Sequence, residues 1–88
     1  MITEAFWRYL QYEKRYSPHT LRAYRTDITQ FFKFVDDVHD LEKPSSVTHH
    51  HVRSWMVDML TREISPRTIR RKLSALKTYF GFLVRRKA

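Results

Sequence analysis

The sequence predicts an all-α fold, a compact four-helix bundle, and three observations lead there. The 88 residues include one Gly and three Pro, too few turn-formers for the many tight reversals of a β-structure. Hydrophobic residues make up 42% and aromatics 15%, with two Trp, five Tyr and six Phe, which suits a small aromatic-rich core in a single domain over residues 1–88. The apolar residues also recur in steps of three and four, the spacing that lines one face of a helix.

The first helix, about residues 3–15, starts near Thr3 and turns Phe6, Tyr9 and Leu10 inward, with Ala5 and Trp7 flanking. The second, about 18–38, opens on Ser17-Pro18: a Ser at the N-cap accepts from an orphan N–H of the first turn, and Pro fits the first helical position. Its apolar stripe is Leu21, Tyr24, Ile28, Phe31, Phe32 and Val35. A polar connector, Asp36 to Val47, includes Pro44-Ser45-Ser46 and lets the chain cross the bundle. Thr48 caps the third helix, about 49–62, whose stripe is Val52, Trp55, Met56, Met59 and Leu60. The fourth helix, about 66–86, repeats the opening of the second: Ser17-Pro18-His19-Thr20-Leu21-Arg22 recurs as Ser65-Pro66-Arg67-Thr68-Ile69-Arg70. Its stripe is Ile69, Leu73, Leu76, Phe80, Leu83 and Val84.

The net charge of +8 is unevenly placed. Residues 1–44 hold seven basic and seven acidic residues, whereas residues 45–88 hold ten basic residues against Asp58 and Glu63. Such a concentration points to a polyanionic partner. Opposite its apolar stripe the fourth helix collects Arg67, Arg70, Arg71, Ser74, Lys77, Thr78, Gly81 and Arg85, long cations around short residues that let a backbone come close to a duplex groove. The second helix carries a matching face of His19, Arg22, Thr26, Thr29, Gln30 and Lys33 with Arg25 at its edge, and its acids gather at the far end. Thr20 and Thr68 lie just inside the two capped starts, where they either contact phosphate or make a local first-turn hydrogen bond.

Other chemistries find no support. Without Cys there is no disulfide and no thiolate metal site. The longest uncharged apolar stretch, Tyr79 to Val84, falls far short of the ~20 residues of a membrane span, and the N-terminus has no basic n-region, so a cytoplasmic protein with no membrane partner is expected. His49, His50 and His51 are consecutive and point in different directions at a helix start, so no metal site is expected there. His50-His51-Val52-Arg53 spells H-x-x-R, but its surroundings fit the third helix. Tyr24 and Tyr79 read as core or near-core residues, and the acids are too scattered for a carboxylate pair, so no catalytic residue is expected.

The strings Tyr16-Ser17-Pro18-His19-Thr20-Leu21-Arg22-Ala23-Tyr24-Arg25-Thr26-Asp27-Ile28 and Ile64-Ser65-Pro66-Arg67-Thr68-Ile69-Arg70-Arg71-Lys72-Leu73-Ser74-Ala75-Leu76-Lys77-Thr78-Tyr79-Phe80 together resemble the N-terminal core-binding, SAM-like domain of tyrosine recombinases, the phage-integrase and Xer-type site-specific recombinases. The resemblance covers essentially the whole chain. It implies one arm of a C-shaped clamp around double-stranded DNA, with the second and fourth helices at the major groove. It also implies that the chemistry belongs to a separate catalytic domain of the same parent chain, where Arg, Lys and His residues and a Tyr nucleophile work without metal, ATP or other cofactor. This chain would then be a non-catalytic piece of a longer recombinase that assembles with other protomers on paired sites. A different class of function, a helical protein-interaction or anionic-surface module without specific DNA recognition, would need an exposed apolar patch for a protein partner or apolar residues exposed beside the cations for a lipid surface. The basic face offers Ser, Thr and Gly instead, and the spare apolar candidates are Trp7, Tyr12, Tyr16 and Phe34.

Overall fold

The computed structural model describes residues 4–41, 43 and 46–87, and every long element among them is helical. α1 (Glu4–Arg8) runs directly into a π-helical turn over Tyr9–Glu13; α2 spans Pro18–His39, α3 His49–Thr61 and α4 Pro66–Lys87. The body measures 36 × 27 × 17 Å, its short dimension matching two layers of helices about 10 Å across. Thr3, Pro44 and Ser45, used above to place a helix start and a connector, lie outside the described residues.

The repeated motif makes the same cap twice. Ser17 Oγ accepts the Thr20 N–H at 3.2 Å and donates to Thr20 Oγ1 at 3.1 Å, and Ser65 does the same to Thr68 at 3.3 and 3.0 Å. Thr48 is the N-cap of α3 as expected, and His51 Nδ1 accepts the Thr48 backbone N–H at 2.9 Å, taking the part a Glu or Gln plays in a capping box.

The expected continuous first helix is corrected. Its second half widens into the π turn, with Lys14 N–H donating to Tyr9 O at 3.1 Å, and ends at Arg15, whose φ of 54° reverses the chain. Tyr16 then meets the ring of Tyr24 edge-on at 5.4 Å. Asp40 and Glu63 also adopt the left-handed region, at φ 53° and 61°. Around Glu63 the bonds Glu63 N–H to Leu60 O and Ile64 N–H to Met59 O, both 3.0 Å, make the C-terminal motif that usually employs Gly.

Phe6 and Leu10, Ile28, Phe31, Phe32 and Val35, Trp55 and Met59, and Ile69, Ala75, Leu76, Tyr79 and Phe82 form one buried core. Phe6 packs edge-on against Tyr79 at 5.0 Å, and Phe31 meets Trp55 at 5.3 Å, so aromatic rings tie α1 and α3 to the pair α2 and α4. The α2 stripe is as expected from its spacing. The α4 stripe is not: Val84 is 70% exposed, Leu73, Phe80 and Leu83 are only half-buried, and Lys72, Ala75, Tyr79 and Phe82 face inward. The helix is rotated by roughly a quarter-turn from the most apolar stripe because a buried carboxylate on α2 draws Lys72 inside. Leu60 of α3, expected in the core, is 56% exposed.

Candidate nucleic-acid interface

α2 and α4 meet along a polar seam whose centre is Asp27, a fully buried carboxylate. Its Oδ2 accepts Arg71 Nε–H at 3.0 Å and its Oδ1 accepts Arg71 Nη2–H at 2.8 Å, a side-on fork between residues 44 positions apart. Lys72 Nζ donates to Oδ1 at 2.9 Å and also to Gln30 Oε1. Lys72 is itself buried, which is tolerable because both of these acceptors satisfy it. The hydrogen bonds to Asp27 raise the Arg71 guanidinium above its ordinary value, and partial burial followed by the neighbouring Tyr16 hydroxyl raises Tyr24.

Several residues expected on an outward binding face are therefore engaged within the protein. Arg71 and Gln30 belong to the Asp27 seam, and Lys33 pairs with Asp37 one turn on at 3.0 Å. Arg25 lies over the Trp7 ring at 5.6 Å. Arg85 lies over the Tyr9 ring at 5.3 Å and donates to the Tyr9 hydroxyl, so the π turn holds it. Thr20 and Thr68 make the local first-turn hydrogen bonds, and because each accepts from Ser, its own O–H remains to donate.

The remaining candidates are exposed, except Thr78, which is half-buried. Among the described residues His19, Arg22, Thr26 and Thr29 of α2, and Arg67, Arg70, Ser74, Lys77 and Thr78 of α4, enter no side-chain hydrogen bond or ion pair. The ion pairs there are confined to Lys33–Asp37, Arg62–Asp58, Arg71–Asp27 and Lys72–Asp27. Arg22, Arg67, Arg70 and Lys77 thus keep charges that no carboxylate offsets, and Ser74 and Gly81 leave low ground between those on α4. A Cβ built at Gly81 would lie 3.8 Å from Arg85 Nη1 and meet nothing nearer, so packing inside the domain does not require glycine. Lys77 also rims an apolar groove of about 490 Å³ between α3 and α4, floored by Val47, Val52, Leu73, Leu76 and Phe80.

The histidines do not assemble a metal centre: among the described residues no group of three or more His, Cys, Asp or Glu side chains is placed to hold an ion. His39, His50 and His51 cluster with ring centroids 5.0–5.7 Å apart, and His39 Nε2 lies 3.0 Å from Ser54 Oγ. Among the described residues no helix is long and apolar enough to cross a membrane.

Two capped helices, a shared buried carboxylate and an acid-free fourth helix are the features that a family comparison has to accommodate. The family described as phage integrase, N-terminal SAM-like domain, matches residues 3–87. The chain belongs to that family. Tyrosine recombinase XerC of Anoxybacillus flavithermus is 37% identical over 82 residues, covering 93% of this chain and 27% of the relative. The protein of the same name from Oceanobacillus iheyensis is 35% identical over 85 residues, 97% of this chain and 28% of the relative, and that of Roseiflexus castenholzii 37% over 83 residues, 94% and 26%. The chain thus spans about a quarter of the length of these curated relatives. No solved structure matches it.

In this SAM-like domain the residues that sequence reasoning overlooked are Asp27 and Lys72. Their signal was present but faint: Asp27 is the one acid in the first three turns of α2, and Lys72 stands in the step series Ile69, Lys72, Leu76, Tyr79.

Proposed function

We propose that this chain is the DNA-binding arm of a site-specific tyrosine recombinase, gripping the major groove of double-stranded DNA with α2 and α4. The observation that carries the reading is the outward face of α4, where Arg67, Arg70 and Lys77 have no carboxylate partner among the described residues and surround Ser74 and Gly81. Cations of this kind displace counterions from phosphates, and the short residues between them let a helix backbone approach the groove. The N-terminal turns of α2 and α4 add Thr20 and Thr68 hydroxyls and a positive dipole end. Strand breaking and rejoining would fall to a catalytic domain of the parent chain, with further recombinase protomers as partners on paired sites.

Binding by this arm alone is expected to be weak, in the ~10⁻⁴ to 10⁻⁶ M range of charge-driven contact. The test is a titration of a short duplex against the 88-residue chain over a range of salt. Arg67→Ala and Arg70→Ala should each weaken binding to all duplexes alike and lower the salt slope by about one phosphate equivalent. Affinity and slope unchanged in both variants would remove α4 from the interface. Gly81→Ala should raise the melting temperature, since Ala favours a helix interior by ~1 kcal/mol, while weakening duplex binding.

The alternative of a protein-interaction module draws its support from the apolar groove between α3 and α4. Anionic lipid discs and an unrelated acidic protein in the same titration separate it: saturable binding to these with none to duplex would favour it.

A further inference from the structure

Asp27 holds Arg71 along one edge only. Its two oxygens take the Nε–H and one Nη2–H, which leaves both Nη1 hydrogens and the second Nη2 hydrogen as donors. Those donors lie on the end of a side chain that is 46% exposed, whereas the carboxylate beneath it has no exposure. Lys72 Nζ secures the same carboxylate from inside at 2.9 Å. The guanidinium plane is thus fixed from below, and a parallel N–H pair points away from its anchor.

We infer that Arg71 reads a base, and that Asp27 is the residue that positions it: the free end of the guanidinium is set to donate to O6 and N7 of a guanine in the major groove. The inference rests on the DNA-binding reading above and makes it specific. Two arguments separate a guanine edge from a phosphate. The charge of Arg71 is already engaged by Asp27, which weakens its pull on a second anion but leaves the direction of its remaining N–H groups intact. Rigidity, moreover, matters little for a phosphate, which accepts from many directions, whereas O6 and N7 of guanine require two donors in a fixed spacing and plane. The adjacent Arg70 has no such anchor among the described residues and supplies the contrast of an unpaired, exposed cation.

The experiment is a selection of the 88-residue chain on a randomised duplex library at low salt, followed by salt titration of the enriched duplex. The chain should enrich guanine at one position. Arg71→Ala and Arg71→Lys should both lose that preference, by about 5- to 100-fold at that position, with the salt slope for a guanine-free duplex unchanged. Arg71→Lys keeps a cation beside Asp27 and so protects the fold while removing the fork; melting curves verify this for each variant. Asp27→Asn should relax the same position without lowering the slope, an effect that a purely structural role for Asp27 would not give. Arg70→Ala should weaken all sequences alike. A uniform loss in the Arg71 variants with a slope lower by about one would make Arg71 a phosphate contact and overturn the inference, as would enrichment without guanine or a guanine preference that survives both variants. Failure of the unaltered chain to bind any duplex would overturn the DNA-binding reading itself.

Discussion

α2 and α4 open on the same six-residue pattern and are capped by the same hydrogen bonds, yet they balance charge in opposite ways. α2 carries its own counter-charges: Arg22, Arg25 and Lys33 stand on the same helix as Asp27, Asp36 and Asp37, and Lys33 is paired with Asp37 one turn on. α4 contains no acid over Pro66–Lys87 and draws on Asp27 of α2 for two of its cations. The dependence therefore runs one way. α4 can dock only where α2 offers its carboxylate, while the outer cations of α4 are left with nothing inside the domain to neutralise them.

That asymmetry predicts a ranking of variants. The largest effect belongs to Asp27→Ala, which strands a buried Lys72 and a half-buried Arg71 and should cost ~3–5 kcal/mol by urea or thermal unfolding. Lys72→Met, by contrast, leaves Asp27 satisfied by Arg71 and should fall within ~1 kcal/mol of the parent, or above it; equal damage from the two would show that the carboxylate is not the hub. Leu76→Ala opens a cavity in the buried face of α4 and should cost ~2–5 kcal/mol. Val84→Ala, on the exposed side, should stay within ~0.5 kcal/mol, and a large loss there would return the α4 face to its most apolar stripe. Glu63→Gly should stabilise by about 1 kcal/mol, since a left-handed φ of 61° suits Gly and strains Glu.

The smallest expected effect is a pH dependence at the N-terminus of α3. His51 is held below its ordinary 6.5 first by partial burial and then by His39 and His50, and its Nδ1 must be unprotonated to accept the Thr48 N–H. The folded state thus prefers the neutral imidazole. Its contribution is complete above pH 6.5 and is lost as the pH falls from there through the lower folded value. The melting temperature should drop more steeply as the pH falls below 6.5 in the parent than in His51→Asn. Parallel curves would assign the drop to other groups.

Local signals explain which parts were legible in the sequence. The caps of α2 and α4, the four helical segments and the α2 stripe follow from Ser-Pro pairs and from Ile28, Phe31, Phe32 and Val35 at helical spacing. The rotation of α4 does not. Lys72 reads as surface by composition, and only Asp27 and Gln30, 45 and 42 positions away on a different helix, make its burial favourable. The same holds for the candidate interface: wheel geometry gathers the right face, but whether a given cation is spent inside the domain depends on Trp7 beneath Arg25, Tyr9 beneath Arg85 and Asp27 beneath Arg71. The π turn likewise has no periodic signature in the sequence: it shows only in bonds such as Lys14 N–H to Tyr9 O and Tyr16 N–H to Leu10 O.

A core of interchangeable rings tolerates sliding, since Phe, Tyr and Leu fit one another in many alignments. A single acceptor for two neighbouring cations does not. Slipping α4 by one turn would place Arg67-Thr68 or Ala75-Leu76 opposite Asp27, and in the second case would entomb a bare carboxylate. Asp27 therefore acts as a vernier for the bundle: it admits one alignment of α4 against α2 and so fixes which of the outer side chains stand next to each other on the finished surface.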